Sequence, residues 1–296
     1  TELTTVILTP GNHDSAERLG FLSPYISGNL HLRTCLADIS RPVEIGNQSE
    51  TVRVWGLPYL NPDMVRTSLY DGYPATEITA NQKTEAEEDE IARLPRSHAA
   101  VIAAAMRKIA KAQRALTAPA RTIIMAHAFA LGAAGSESER DITVGTVPAV
   151  PLDVFERYGM NLPPENQILP APDYLALGHL HVPQRLKTKL SSGRYSGSPI
   201  AFSFSECHTP KSVVLLDTAA KNLDPQLILT PVYRPLARVK DSFENLISST
   251  KYSKYSSYWL EITVTDTQRP EQMVAKLKQR YPHALAMLHE TTQVSG

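Results

Sequence analysis

With 296 residues, 42% apolar and 20% charged, the chain is long enough to bury one large domain and a small one, and no apolar run approaches the ~20 residues that cross a bilayer. Lys and Arg balance Asp and Glu at thirty each, so the overall field does not gather a polyanion and a nucleic-acid partner would need a local basic patch. Two cysteines, Cys35 and Cys207, cannot build a disulfide framework, and no signal-peptide pattern opens the chain; a cytoplasmic protein without membrane association is the expectation.

The chain opens on Thr1 rather than Met and almost within a strand, as a segment of a longer polypeptide would. "TTVILT" (4–9) is short, β-branched and bounded by Pro10 and Gly11, which predicts a buried strand. "SAERLGFLSPY" (15–25) predicts a short helix with Ser15 as its cap. "TVRVWGLPYL" (51–60) alternates and then meets Gly and Pro, the pattern of a strand running into a loop. An acidic run before Pro95 predicts a solvated loop. From Ser97 to Leu116, Val101, Ile102, Ala105, Ile109 and Ala112 recur at helical spacing.

Strand-like runs follow: "RTIIMAHAF" (121–129), "DYLALGHLHV" (173–182), "SVVLLDT" (212–218) and "PQLILTPV" (225–232). Three of the four are uninterrupted enough for burial on both faces, which favours an α/β layered core. Beyond Pro235 the texture changes to a strand at "YWLEITVT" (258–265), a helix at "RPEQMVAKLKQRY" (269–281) and a strand at "ALAMLHE" (284–290). The expected division is therefore 1–234 and 235–296, the second a small strand-helix-strand domain. No internal repeat, low-complexity tract or heptad pattern interrupts either part.

The polar residues of interest stand where apolar runs stop. Asn12 and His13 follow "VILTPG", His127 ends "TIIMAH", and His179 and His181 end "YLALGHLH". Open α/β sheets place ligand sites at strand carboxyl ends. In an extended segment, His179 and His181 at i and i+2 point to one side, where each can serve one of two neighbouring metals. A single histidine is usually structural or solvated; four such residues at three strand ends point instead to metal ligation. Asn oxygen and imidazole nitrogen suit manganese, iron or zinc. Asn12, His127, His179 and His181 are all neutral, however, so two divalent ions held by them alone would carry an uncompensated charge of about +4. A bridging carboxylate is missing. Asp14 is the nearest one, and its place after the turn reads first as a capping or supporting acid.

"GNHD" (11–14), "AH" (126–127) and "GHLH" (178–181) resemble the later motifs of the calcineurin-like metallophosphoesterases. "GSESERDITVGT" (135–146), "PDYLALGHLHVPQ" (172–184) and "RYSGSPIAFSFSE" (194–206) narrow the resemblance to the bacterial SbcD nucleases within that superfamily. The resemblance implies an α/β layered β-sandwich flanked by helices, with a small α/β capping domain from Pro235 that helps hold DNA over the site. It implies Asn12, His127 and His179 as ligands of one metal and His181 of the other, with two divalent ions, manganese by family habit. His13 would be the catalytic imidazole that faces the scissile phosphate and protonates or stabilises the leaving oxygen; its plainer alternative is a hydrogen-bonded turn residue. Arg140, Arg185 and Lys187, with Arg194 a further member, are the basic groups that would position DNA backbone, although each alone reads as a solvated surface charge.

The family's first two motifs, an Asp-x-His and a Gly-Asp-x-x-Asp, belong upstream of GNHD, where this chain has only a few residues. A polypeptide that continues before Thr1, or a fold with an exposed sheet edge, is expected. The resemblance also implies C-terminal partner-binding helices, which are expected to be absent after Gly296. As the resemblance implies, the parent is a double-strand exonuclease and single-strand or hairpin endonuclease in DNA repair and recombination. It would work with an SbcC-type ATPase as a homodimer within a heterotetramer. Two alternatives stay open: a phosphodiesterase acting on small nucleotides, and a catalytically inactive fragment that serves as scaffold.

Overall fold

The computed structural model describes residues 4–47, 50–72, 92–130, 149–158 and 169–290. They form a mixed α/β structure with several sheets. In chain order the first part holds β1 (Val6–Leu8), α1 (Ala16–Gly20), β2 (Leu30–Leu32), β3 (Val43–Asn47), β4 (Glu50–Leu57), α2 (Pro62–Val65) and α3 (His98–Arg114). It continues with β5 (Arg121–His127), α4 (Asp153–Glu156), β6 (Tyr174–Gly178), β7 (Gln184–Arg185), β8 (Ser192–Tyr195), β9 (Ser212–Leu215) and β10 (Gln226–Leu229). The last part holds β11 (Leu236–Asp241), α5 (Phe243–Ser248), β12 (Trp259–Val264), α6 (Met273–Arg280) and β13 (Ala284–His289).

Six strands make the principal sheet in the order β3-β4-β5-β6-β8-β7. The four central strands run parallel, and β3 and β7 close the two sides antiparallel. Parallel pairing puts the carboxyl ends of β4, β5 and β6 on one edge, with His127 directly opposite Gly178. Helix α3 covers one face. It starts where Ser97 Oγ accepts the Ala100 amide at 3.2 Å, a side-chain cap on a backbone donor that the helix itself cannot satisfy. Val101, Ile102, Ala105, Met106 and Ile109 are buried against Trp55, Leu57, Ile124, Leu175 and Leu177, so the helical spacing read in the sequence is the face turned to the sheet. Each such large side chain removed from water contributes about 1.5–3 kcal/mol before its entropy cost.

Strand β5 alternates in burial: Thr122, Ile124 and Ala126 are buried, while Ile123, Met125 and His127 are half-buried on the other face. That other face looks across a cavity at Thr9, Val214 and Leu216. The strands around this cavity depart from expectation. β1 pairs in parallel with β2 alone and leaves Val6 46% and Leu8 37% exposed, where a buried strand was expected. β9 and β10 form an antiparallel pair in which all four residues of β10 are exposed, so these apolar runs are not buried on both faces. Among the described residues no further layer covers them, and an apolar run becomes a buried strand only where another element supplies the opposing surface.

The C-terminal residues build their own core. β11, β12 and β13 are parallel, and Val239, Leu246, Leu260, Ile262, Val264, Leu277 and Tyr281 pack into a cluster distinct from that of the principal sheet. The buried Tyr281 hydroxyl donates to Leu246 O at 2.6 Å. The strand, helix and strand expected beyond Pro235 correspond to β12, α6 and β13, whereas β11 and α5 were not anticipated. No helix among the described residues is long and apolar enough to cross a membrane.

Candidate metal centre

The turn at 11–14 is set by its own side chain. Asp14 Oδ2 accepts the Gly11 amide at 2.7 Å, and the Asp14 amide donates back to Gly11 O at 3.2 Å. Asp14 therefore acts as a turn cap. The Tyr59 amide, just beyond β4, donates to Pro10 O at 3.0 Å and so moors the segment after β1 to the edge where the central strands end.

That mooring brings Asn12 against His127. Asn12 Oδ1 lies 2.8 Å from His127 Nε2, and His127 Nε2 lies 3.3 Å from His179 Nδ1. Donor atoms sharing one ion at bond lengths near 2.0–2.1 Å sit about 2.8–3.4 Å apart, octahedral angles giving the shorter and tetrahedral angles the longer spacing, and both of these separations fall within that span. Among the described residues no group of three or more His, Cys, Asp or Glu side chains is gathered as a metal site; this triad counts an asparagine among its donors. Glycine makes the approach possible, because a Cβ on Gly11 would stand 2.8 Å from His127 Cε1.

His127 is held neutral. Burial, then the neighbouring His179, push its pKa down to about 4, against a smaller opposing pull from Asp14. A neutral imidazole in neutral solution is the form that ligates. Tyr59 packs edge-on to the same ring with centroids 6.0 Å apart, and His98, at the start of α3, packs on Tyr59 at 5.6 Å. Burial, followed by the field of His179, lowers the pKa of His98 as well. Neither Tyr59 nor His98 stood out in the sequence, where nothing ties a loop tyrosine or a helix-start histidine to a distant motif.

Asn12, His13, His127, His179 and His181 line one cleft together with Phe202. His13 is exposed. His179 and His181 reach the cleft by a route other than strand alternation: β6 ends at Gly178, and His179 takes φ +114°, a region that favours glycine and is strained for a residue that carries a Cβ. His181 Nδ1 lies 3.1 Å from Glu206 Oε1. Its ring is also 5.4 Å from that of Phe202. Glu206 ends the motif string "RYSGSPIAFSFSE", but its contact with His181 is set by the tertiary fold.

The residues expected to position DNA are not gathered here. Arg185 and Lys187 are exposed, and neither lines the cleft. Arg194 lines the cavity beneath β5 and β6 instead. Arg140 and the string 135–146 lie outside the described residues.

Residues 232–295 match the SbcD C-terminal family model, described as the type 5 capsule protein repressor C-terminal domain. Along nearly its whole length the chain is similar to two proteins that are named as the SbcD component of the nuclease SbcCD. That of Staphylococcus saprophyticus is 25% identical over 287 residues, 97% of this chain and 65% of the relative. That of Staphylococcus epidermidis is 26% identical over 285 residues, 95% of this chain and 64% of the relative. The chain spans a little under two thirds of the length of these relatives. The likeness carried by GNHD and GHLH thus extends over almost all of this chain, and the sequence is similar to the SbcD components of SbcCD nucleases.

Proposed function

We propose that this chain carries the later metal-ligating motifs, and the phosphate-facing imidazole, of an SbcD-type nuclease. The observation that carries the reading is the convergence of Asn12, His127 and His179 within 2.8 and 3.3 Å in a cleft that His13 and His181 also line. In this reading Asn12, His127 and His179 hold one divalent ion and His181 a second, with manganese the expected metal. Bound metal would supply electrostatic stabilisation of a phosphodiester and an activated water. His13, exposed and lining the same cleft, would in this reading meet the phosphate and give a proton to, or stabilise, the leaving oxygen.

Two carboxylates that adjoin the cleft are otherwise engaged, Asp14 on the Gly11 amide and Glu206 with His181 and Lys211. A pair of dications would therefore need charge from further carboxylates, and the Asp-x-His and Gly-Asp-x-x-Asp motifs of the resembled family are the proposed source. The fold reading is the calcineurin-like layered β-sandwich, residues 1–234, with 235–296 as its capping domain. DNA as substrate, exonuclease and endonuclease action, an SbcC-type ATPase partner and dimeric assembly follow as proposals from the similarity to SbcCD nucleases.

Manganese titration of the 296-residue chain by calorimetry, with His179→Ala beside it, tests the site. Saturable binding lost in the variant is the expected result; binding that survives it would refute the ligand assignment. Plasmid DNA and a chromogenic phosphodiester, offered in the same manganese buffer, separate the nuclease from an enzyme of small nucleotides. An N-terminally extended form carrying both carboxylate motifs is expected to be far more active than this chain, and equal specific activities would overturn that expectation. Inactivity of both forms would favour the scaffold reading.

A further inference from the structure

Beneath the cleft, Glu206 and Lys211 form a buried ion pair, their side chains 0% and 5% exposed and Lys211 Nζ 2.5 Å from Glu206 Oε2. An ion pair this deep is an expensive way to add stability, because the loss of hydration offsets most of the attraction. Two of its contacts converge on His181. Lys211 Nζ also donates to the backbone carbonyl of His181 at 2.9 Å and to Ser198 Oγ at 3.0 Å, while the other oxygen of Glu206 meets His181 Nδ1 at 3.1 Å. The pair therefore grips His181 at its backbone and at its ring.

We propose that Glu206 and Lys211 are positioning residues that hold His181 in the tautomer protonated on Nδ1, so that Nε2 carries the lone pair. A carboxylate anchored by an ammonium group only accepts hydrogen bonds, so the ring nitrogen facing it must donate. Lys211 keeps the carboxylate from turning away, and the Phe202 ring packs against the imidazole. The same arrangement, in which a carboxylate takes the proton of one ring nitrogen, recurs behind metal-bound histidines and raises ligand basicity. The consequence for metal affinity rests on the reading of His181 as a ligand; the tautomer assignment does not.

Long-range ¹H–¹⁵N correlation spectra of the metal-free chain in mildly alkaline buffer, with His181 assigned by mutation, report the tautomer directly. The expected wild-type pattern is protonated Nδ1 and unprotonated Nε2. Replacing both charges by Glu206→Met with Lys211→Met avoids stranding a buried ion, and is expected to let His181 populate the Nε2-protonated form. Glu206→Gln with Lys211→Met retains an acceptor and should restore the wild-type pattern, a rescue that a purely structural role would not require. An Nε2-protonated wild type, or a double-methionine variant that folds and keeps Nδ1 protonated, would overturn the proposal.

Manganese calorimetry on the same proteins separates the two readings. A loss of about 10–100-fold in affinity in the double-methionine variant, recovered with glutamine, supports both. The expected tautomers without manganese binding in the wild type support the positioning role and refute the metal reading. Undiminished manganese affinity in a double-methionine variant whose tautomer has changed overturns the link from Glu206 to the metal.

Discussion

The hydroxyl of Tyr195, on β8, donates to the carbonyl of Ala128 at 2.6 Å and accepts the amide of Ala130 at 2.7 Å. Tyr195 is fully buried, and the two bonds bridge the backbone immediately after His127. The segment leaving β5 is thereby held where regular sheet pairing has ended. Tyr195→Phe removes both partners at once and strands a buried donor and acceptor, at a cost of about 1–3 kcal/mol. Urea denaturation should show an earlier midpoint with an unchanged slope; an unchanged midpoint would show that the bridge contributes no net stability.

Gly11 and His127 make a second, tighter relationship. A methyl group at 11 meets Cε1 of the ring at 2.8 Å and Nδ1 at 3.0 Å, so Gly11→Ala must displace either the turn or the imidazole. The expected outcome is manganese affinity reduced by about tenfold or more with little change in thermal midpoint. Equal affinity in the variant would mean that the turn gives way instead of the ring.

His179 combines an expected ligand with an unfavourable backbone angle, φ +114°. Two truncations separate these effects. His179→Gly and His179→Ala both remove the imidazole and should abolish manganese binding alike, whereas the glycine variant should be the more stable by about 1 kcal/mol because it takes the angle without a Cβ clash. Equal unfolding midpoints for the two would argue against strain at this position.

Asp241, at the end of β11, accepts hydrogen bonds from Asn245 Nδ2 at 2.8 Å, the Tyr252 hydroxyl at 2.6 Å and the Ser242 amide at 2.8 Å. These donors, the Asn245 side-chain amide foremost, hold its pKa down to about 2 from 3.8. A carboxyl more acidic in the folded than in the unfolded chain contributes stability above its unfolded value and loses it as pH falls through the folded one. The wild type should thus be more stable than Asp241→Asn near neutrality, and the difference should shrink as pH falls from 3.8 toward about 2. A difference that stays constant across this range would assign the effect to shape rather than charge.

Local pattern alone located much of this architecture. The apolar spacing from Val101 to Ile109 specifies α3, because helical periodicity is a property of neighbours in sequence. Ser15 caps α1 for the same reason, accepting the Arg18 amide at 3.3 Å. The motif residues Asn12, His13, His127, His179 and His181 were legible as the polar ends of apolar runs, and all five line one cleft.

Tertiary structure decided what sequence spacing has no means to encode. β1 and β10 have strand composition, yet their exposure follows from which elements lie over them. His179 and His181 read as alternating neighbours on a strand, but the chain leaves β6 at Gly178 and brings them to the cleft through a strained turn. Most of all, Glu206 is 25 residues beyond His181 and Tyr195 is 67 beyond Ala128. Their hydrogen bonds exist because parallel strands and a returning loop bring distant backbone together. The sequence by itself placed these polar side chains at the ends of apolar runs, and the packing of distant segments determined that they meet in one cleft.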